Sequence, residues 1–194
     1  MEFIPSRHLY LNDYGIVIPS VTQIIAANLG TGYDNVPESV LKAKAYYGTN
    51  IHKLIENYHK GSENKPRNSL EAATLMAYKK MEKRLPAVIF SEKMCMFEQR
   101  LAGTIDLIYA DGTIGDIKTY AVLDDHVMLK LKWQLSLYYL CLYGRNGYKQ
   151  VTNHMVHLPK AMNFSLVDVA MFTLDECLNF IELYESNKKG RGER

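Results

Sequence analysis

Two aspartates and a lysine lie on a pair of adjoining segments between Gly103 and Thr119. They read Gly103-Thr104-Ile105-Asp106-Leu107-Ile108-Tyr109, then a turn at Ala110-Asp111-Gly112, then Ile114-Gly115-Asp116-Ile117-Lys118-Thr119. Side chains alternate faces along a strand, so Asp116 and Lys118 share one face and Ile117 takes the other. The turn decides where Asp106 goes. A two-residue turn at Asp111-Gly112 would pair position 106 with 117 and put Asp106 on the wrong face. A three-residue loop over 110–112 pairs 109 with 113, and therefore 106 with 116. That loop needs a left-handed residue in its last position, where Gly112 stands. Opposed side chains have Cβ atoms ~5 Å apart, so two carboxylates and an ammonium converge on one spot. Carboxylates this close repel unless a positive charge lies between them. Lys118 is one candidate and a divalent metal the better one, with oxygen ligands suiting Mg²⁺ or Mn²⁺ over zinc. An exposed, ion-paired hairpin face is the plainer account. It explains an Asp-Lys pair but not why Asp106 sits in an otherwise uncharged strand.

Two helical segments carry further polar groups at one-turn spacing. Gly48 to Glu56 places His52 and Glu56 on one helical face, and Gln134 and Tyr138 are spaced alike. Either pair by itself is ordinary helix surface or core. Glu56 and Glu92 are additional acids that the spacing leaves undecided, and His59, His154 and His157 belong to no motif. Between His126 and Lys160 stand five basic residues (Lys130, Lys132, Arg145, Lys149 and Lys160), interleaved with aromatics and without one acid. That is a solvated helix face or a surface for a polyanion.

The elements that must position these groups can be outlined. An extended arm or hairpin is expected from Arg7 to Ile18. A capping box at Ser20-Val21-Thr22-Gln23 opens a short helix that Leu29-Gly30-Thr31-Gly32 stops. Helices are expected from about Pro37 to His59 and from Ser69 to Arg84, then strands over 88–96, 101–110 and 113–119. A helix from Asp125 to Tyr143, ended by Gly144, leads to strands over 151–158 and 164–171. A second capping box at Thr173 to Glu176 opens a last helix to about Ser186. The expected fold is α/β (α+β): a mixed sheet with an antiparallel three-stranded meander flanked by helices. Crossover through the 125–143 helix makes the next strand parallel to the one carrying Asp116.

The 194 residues suit one domain over 1–186 with a basic, disordered tail at 187–194. Apolar residues are 47% and charged residues 23%, the mix of a folded chain rather than a disordered or fibrous one. No apolar run approaches the ~18 residues that span a bilayer, and the N-terminal stretch does not read as a secretory signal. Three scattered cysteines, Cys95, Cys141 and Cys177, make neither a disulfide framework nor an iron–sulfur cluster, so the expected compartment is cytoplasmic. The net charge of +2 decides nothing about partners.

In combination these motifs resemble the PD-(D/E)xK nuclease superfamily, and within it the RecB-like exonuclease branch. That branch carries, in order, a Gly-x-x-x-His helix, a Gly-x-x-Asp strand, an Asp-x-Lys strand and a Gln-x-x-x-Tyr helix. Here they are Gly48 to His52, Gly103 to Asp106, Asp116 to Lys118 and Gln134 to Tyr138. The Pro19-Ser20-Val21-Thr22 entry is similar to phage and mitochondrial members. The resemblance covers about residues 19 to 158. It implies a restriction-endonuclease-like core and a Mg²⁺-dependent deoxyribonuclease, more an exonuclease than an endonuclease, with little sequence specificity. It implies His52, Asp106, Asp116 and the Ile117 carbonyl as metal ligands, with Lys118 positioning or activating the attacking water. Gln134 and Tyr138 would support the site or touch DNA, and Lys130, Lys132 and Arg145 would hold phosphates. DNA, and phage or recombination proteins, are the implied partners. Ile105 departs from the proline in the superfamily's name. The rival reading is a catalytically inert nuclease fold that binds nucleic acid or serves as a scaffold.

Overall fold

A computed structural model describes residues 1–4, 9–31, 37–63 and 65–192. The first strands are β1 (Glu2–Ile4), β2 (Leu9–Leu11) and β3 (Val17–Ile18), an antiparallel sheet in that order. The expected hairpin is β2–β3, with Asn12 Oδ1 accepting the Tyr14 and Ile16 N–H groups across the turn. Arg7, where the arm was expected to begin, and Gly32 lie outside the described residues. Helix α1 (Val21–Leu29) opens on the Ser20–Gln23 capping box, both of whose bonds form, and ends at Gly30. Helices α2 (Glu38–His59) and α3 (Ser69–Met81) follow, with a 3₁₀ turn over Glu82–Arg84.

Strands β4 (Val88–Phe97), β5 (Leu101–Tyr109) and β6 (Ile114–Lys118) form the meander. Helix α4 (Asp125–Gly147) crosses to β7 (Thr152–His157), which lies parallel to β6. Strand β8 (Ser165–Ala170) closes a sheet of order β4-β5-β6-β7-β8, and α5 (Leu174–Gly192) follows it. This is the mixed α/β architecture that the pattern implied.

The sheet is covered on both faces. Ile105, Ile108, Ile114 and Met155 pack with residues of α1, α4 and α5. Leu107, Tyr109, Ile117 and Val156 pack with Ile51 and Ile55 of α2 and Tyr78 of α3. Burial of β5 and β6 on both faces explains why their sequences run nearly apolar, so that each charge on them stands out. The small sheet is tied to β5 where Ser20 bridges Ala102 and the Ala102 N–H donates to Pro19 O at 3.0 Å.

Gly144 breaks the long helix as expected, with non-helical φ 64°, ψ −177°, and a short further turn continues the element to Gly147. One end differs from expectation. Helix α5 continues through Gly192, where the polar composition of 187–194 suggested disorder. The Arg100 guanidinium grips Glu185 through two bonds of 2.8 and 2.9 Å, which anchors the helix just before that stretch. Beyond it, Lys188 and Lys189 suit a helix C-terminus, and no proline intervenes.

Candidate metal centre

The β5–β6 register pairs Leu107 with Gly115 and Ile108 with Ile114. One step further sets Asp106 opposite Asp116, as the three-residue loop requires. The Tyr109 N–H donates to Thr113 O at 2.9 Å, and Gly112 takes φ 83°. The β4–β5 register pairs Ser91 with Leu107 and Lys93 with Ile105, which sets Glu92 opposite Asp106. Three carboxylates therefore stand in a row across three neighbouring strands. The backbone ladder opens at this row: Asp106 Oδ2 takes the Ile117 N–H at 2.7 Å. Glu92 sits at φ 52°, a left-handed conformation that costs an extended non-glycine residue about 1–3 kcal/mol and recurs at functional sites.

Helix α2 brings His52 to this row. A Cβ on Gly48 would lie 3.1 Å from Thr119 Oγ1, so the glycine lets the helix close on the end of β6. One turn later His52 Nε2 meets the Ile117 carbonyl at 3.0 Å. A carbonyl only accepts, so Nε2 carries the hydrogen. Nδ1 is thereby turned toward Asp106 Oδ1 at 3.4 Å and Glu92 Oε1 at 3.7 Å. A ring lone pair facing two carboxylates needs a proton or a cation between them. Without a metal the proton answers. Burial would lower the His52 pKa, but the Asp106 and Glu92 carboxylates override it and raise it well above the ordinary value. Burial pushes Glu92 up, though His52 opposes this. Burial also opposes charge on Asp106, but His52, Lys118 and the Ile117 N–H hold it below the usual range. Ligand atoms of His52, Glu92 and Asp106 all lie within 4.8 Å of one another, a nitrogen and two carboxylates fit to hold a metal ion.

Asp116, implied as a ligand, lies outside that trio and is held from its other side. Lys118 Nζ reaches both its oxygens, at 2.9 and 2.7 Å, and Gln134 Nε2 donates to Oδ1 at 2.8 Å. Burial, opposed by Lys118 but reinforced by Asp106, raises its carboxyl to about 6. Burial would lower Lys118, yet Asp116 raises it, so the amine stays an ammonium. The Ile117 carbonyl, the other implied ligand, here fixes the His52 tautomer.

The remaining motif residues support this arrangement. A Cβ on Gly103 would come 2.4 Å from Tyr138 Cε1, so the glycine makes room for the Tyr138 ring. Gln134 Nε2 in turn reaches the Tyr138 hydroxyl at 3.3 Å and Gln134 Oε1 accepts from Lys118 at 3.0 Å. A chain of contacts thus runs from Gly103 through Tyr138 and Gln134 to Asp116 and Lys118.

The expected phosphate contacts are engaged elsewhere. Arg145 forms two bonds to Glu98 at 2.7 and 2.9 Å, at the β4–β5 turn. The Lys132 ammonium lies 4.0 Å from the centre of the Phe172 ring, and Lys130 donates to Thr31 O at 2.7 Å. The cleft over His52 and Glu92, about 910 Å³, is lined instead by Lys44, Lys53, Lys118 and Lys160. Glu56 also lines it but is occupied by Lys53 and Lys60, which hold its carboxyl low against burial. In the sequence Glu92 was only an undecided acid, and the lysines of α2 were not legible as site residues. The β4–β5 turn that sets the Glu92 register has positive φ at Glu98 and Gln99, with no glycine to announce it.

Neither a protein-family model nor a curated protein matches the chain. Among solved structures, the crystal structure of SSO0001 is similar in fold. The TM-score is 0.50 over 87% of this chain and 73% of that one, at 12% identity. Among the described residues no helix is long and apolar enough to cross a membrane.

Proposed function

We propose that the chain is a metal-dependent deoxyribonuclease of the PD-(D/E)xK type, RecB-like, cutting DNA with little sequence specificity and more from ends than within. The observation that carries this reading is the junction of two sets of groups across three neighbouring strands. His52, Glu92 and Asp106 form a ligand set beside the Asp116–Lys118–Gln134 set, under a cleft lined by lysines. Two carboxylates and one imidazole suit Mg²⁺ or Mn²⁺. A divalent cation supplies Lewis-acid stabilisation of the phosphodiester's developing charge and acidifies the attacking water.

The chain's own groups have separable tasks. His52, oriented by the Ile117 carbonyl, offers Nδ1 to the centre. Lys118, held as an ammonium, donates hydrogen bonds and offsets negative charge at the scissile phosphate rather than accepting a proton. Asp116 and Gln134 hold that ammonium in place. Lys44, Lys53 and Lys160 line the approach and would neutralise backbone phosphates, a salt-sensitive contact. An inert fold has no use for three carboxylates set in a row.

Digestion of end-labelled linear and closed circular DNA tests the reading. Cleavage should require Mg²⁺ or Mn²⁺, stop with a chelator, and favour the linear substrate. If neither metal supports cutting of single- or double-stranded, linear or circular DNA while the chain still binds it, the inert-scaffold reading replaces this one.

A further inference from the structure

The His52–Glu92–Asp106 cluster stands between two clefts of similar size and different character. Glu92 lines both, with His52 on one side and Asp106 on the other. The first cleft is the lysine-lined one. The second, about 810 Å³, lies toward the small sheet and is lined by Tyr10, Ser20, Thr22, Met94, Thr104 and Tyr138 among others. Its described lining holds no lysine or arginine, and it holds the acids Glu2, Glu92 and Asp106. A second run of phosphates would be repelled there.

Beyond these acids, and Met1 whose ammonium is paired with Asp13, the second cleft offers uncharged groups. Hydroxyls come in two pairs, Tyr10 with Thr104 at 2.9 Å and Ser20 with Thr22 at 3.0 Å. Tyr10 and Ser20 are buried and Ser20 Oγ also accepts the Gln23 N–H, so the hydroxyls that keep capacity for a ligand are those of half-buried Thr104 and exposed Thr22. The Met94 side chain is 41% exposed, and the Phe3 and Tyr10 rings stack at 4.7 Å. Apolar surface at Met94 and half-buried Phe3 beside hydroxyls matches a nucleoside: a base with an apolar face and a sugar with polar edges. The Pro19–Thr22 segment, which caps α1 and ties the small sheet to β5, supplies one of these hydroxyls, that of Thr22.

We propose that the second cleft binds the nucleoside next to the scissile phosphate, on the side away from the lysines. This rests on the nuclease reading for its substrate. Phosphates approach along the lysines, the scissile phosphate lies at the cluster, and the next sugar and base seat against Thr104, Thr22 and Met94. Hydrolysis then joins the water oxygen to phosphorus and breaks one P–O ester bond. The leaving oxygen takes a proton.

The test is photocross-linking with an oligonucleotide carrying one 4-thiothymidine, moved stepwise along the strand, with Ca²⁺ replacing Mg²⁺ to retain binding without turnover. One label position should cross-link to peptides containing Tyr10, Met94 or Thr104. Labels on one side of it should map to the lysine cleft, near Tyr47 and Tyr120. Met94→Ala should lower the yield at the Tyr10 and Thr104 peptides about tenfold, through lost apolar contact, while lysine-cleft yields hold. Cleavage of the unlabelled strand with Mg²⁺ is measured alongside. Cleavage with all cross-links confined to the lysine cleft overturns the nucleoside site and leaves the nuclease reading standing. Cross-links in the second cleft without any cleavage support the site and overturn the nuclease reading. Neither cleavage nor cross-links overturns both.

Discussion

Helix α2 carries two histidines about two turns apart, and they have opposite electrostatic fates. His52 faces two carboxylates and is held protonated well above its ordinary range. His59 faces one, Glu82 Oε2 at 3.8 Å, and burial depresses it. Glu82 is already engaged by the Tyr58 hydroxyl, and His59 Nε2 is satisfied by the Tyr78 hydroxyl at 2.5 Å. Near His59 each polar group has a neutral partner and the cluster is complete. Near His52 the carboxylates Asp106 and Glu92 both face the ring, so the ring takes a proton. A histidine near an acid is thus a weak sign of a site. Two carboxylates facing one ring are the stronger one.

The largest expected effect comes from removing one of those carboxylates. Asp106→Asn should lower Mg²⁺-dependent cleavage at least about a hundredfold. In the metal-free protein it should also return the His52 ring toward its ordinary titration, followed by NMR of the imidazole, while His59 does not move. A His52 that titrates unchanged would break the comparison at its root. Next in size is metal binding. Mn²⁺ at a hundred times its dissociation constant should stabilise the fold by about 2.7 kcal/mol, read as a raised unfolding midpoint. His52→Ala or Glu92→Gln should weaken that affinity at least about tenfold, and His59→Gln should leave it alone. Equal losses at the two histidines would show that the ligand set has been misplaced.

A third prediction separates positioning from ligation. Gly103→Ala drives a methyl into the Tyr138 ring. Overpacking of this kind costs about 1–3 kcal/mol, measurable by denaturant unfolding. It should also shift Gln134, and with it Asp116 and Lys118, so turnover should fall while Mn²⁺ affinity at His52, Glu92 and Asp106 holds. A fall in both together would mean that Tyr138 supports the ligand set itself.

The legible parts of this site were those written in local turn chemistry. Gly112 marked the loop that sets Asp106 against Asp116, and the alternation of β6 put Lys118 beside Asp116. The helix crossover made β7 parallel to β6, as the order of elements required. Glu92 was only an undecided acid because its register passes through a turn of left-handed Glu98 and Gln99, residues that carry no turn signal. The partners of the basic run from Lys130 to Arg145 were not legible for a related reason. A charge run shows where positive charge lies along the chain, whereas Glu98, Thr31 and Phe172 come from distant elements to meet it. The cleft's own lysines are dispersed over α2, β6 and the β7–β8 connection, and only the fold gathers them.

The smallest effect is the pH dependence of stability, and its sign distinguishes the two histidines. His59 has a folded pKa below the ordinary 6.5. Above 6.5 neither state binds a proton there. As pH falls below it the unfolded chain protonates first, so His59 withdraws stability as pH drops toward its folded value. His52 has a folded pKa well above 6.5 in the absence of metal. Its contribution is full below 6.5 and is lost as pH rises through the folded value. In chelator, therefore, His59→Gln should make the protein relatively more stable on the acid side of 6.5. His52→Gln should make it relatively less stable there, compared with each variant's own stability at high pH. Added Mn²⁺ displaces the proton on His52 Nδ1, so saturating metal should reverse the His52 dependence to the sign of His59 and leave that of His59 intact. Urea unfolding midpoints from pH 5 to 9, with chelator and with Mn²⁺, read both slopes. Slopes of the same sign for the two variants in chelator would mean that Asp106 and Glu92 do not charge the His52 ring.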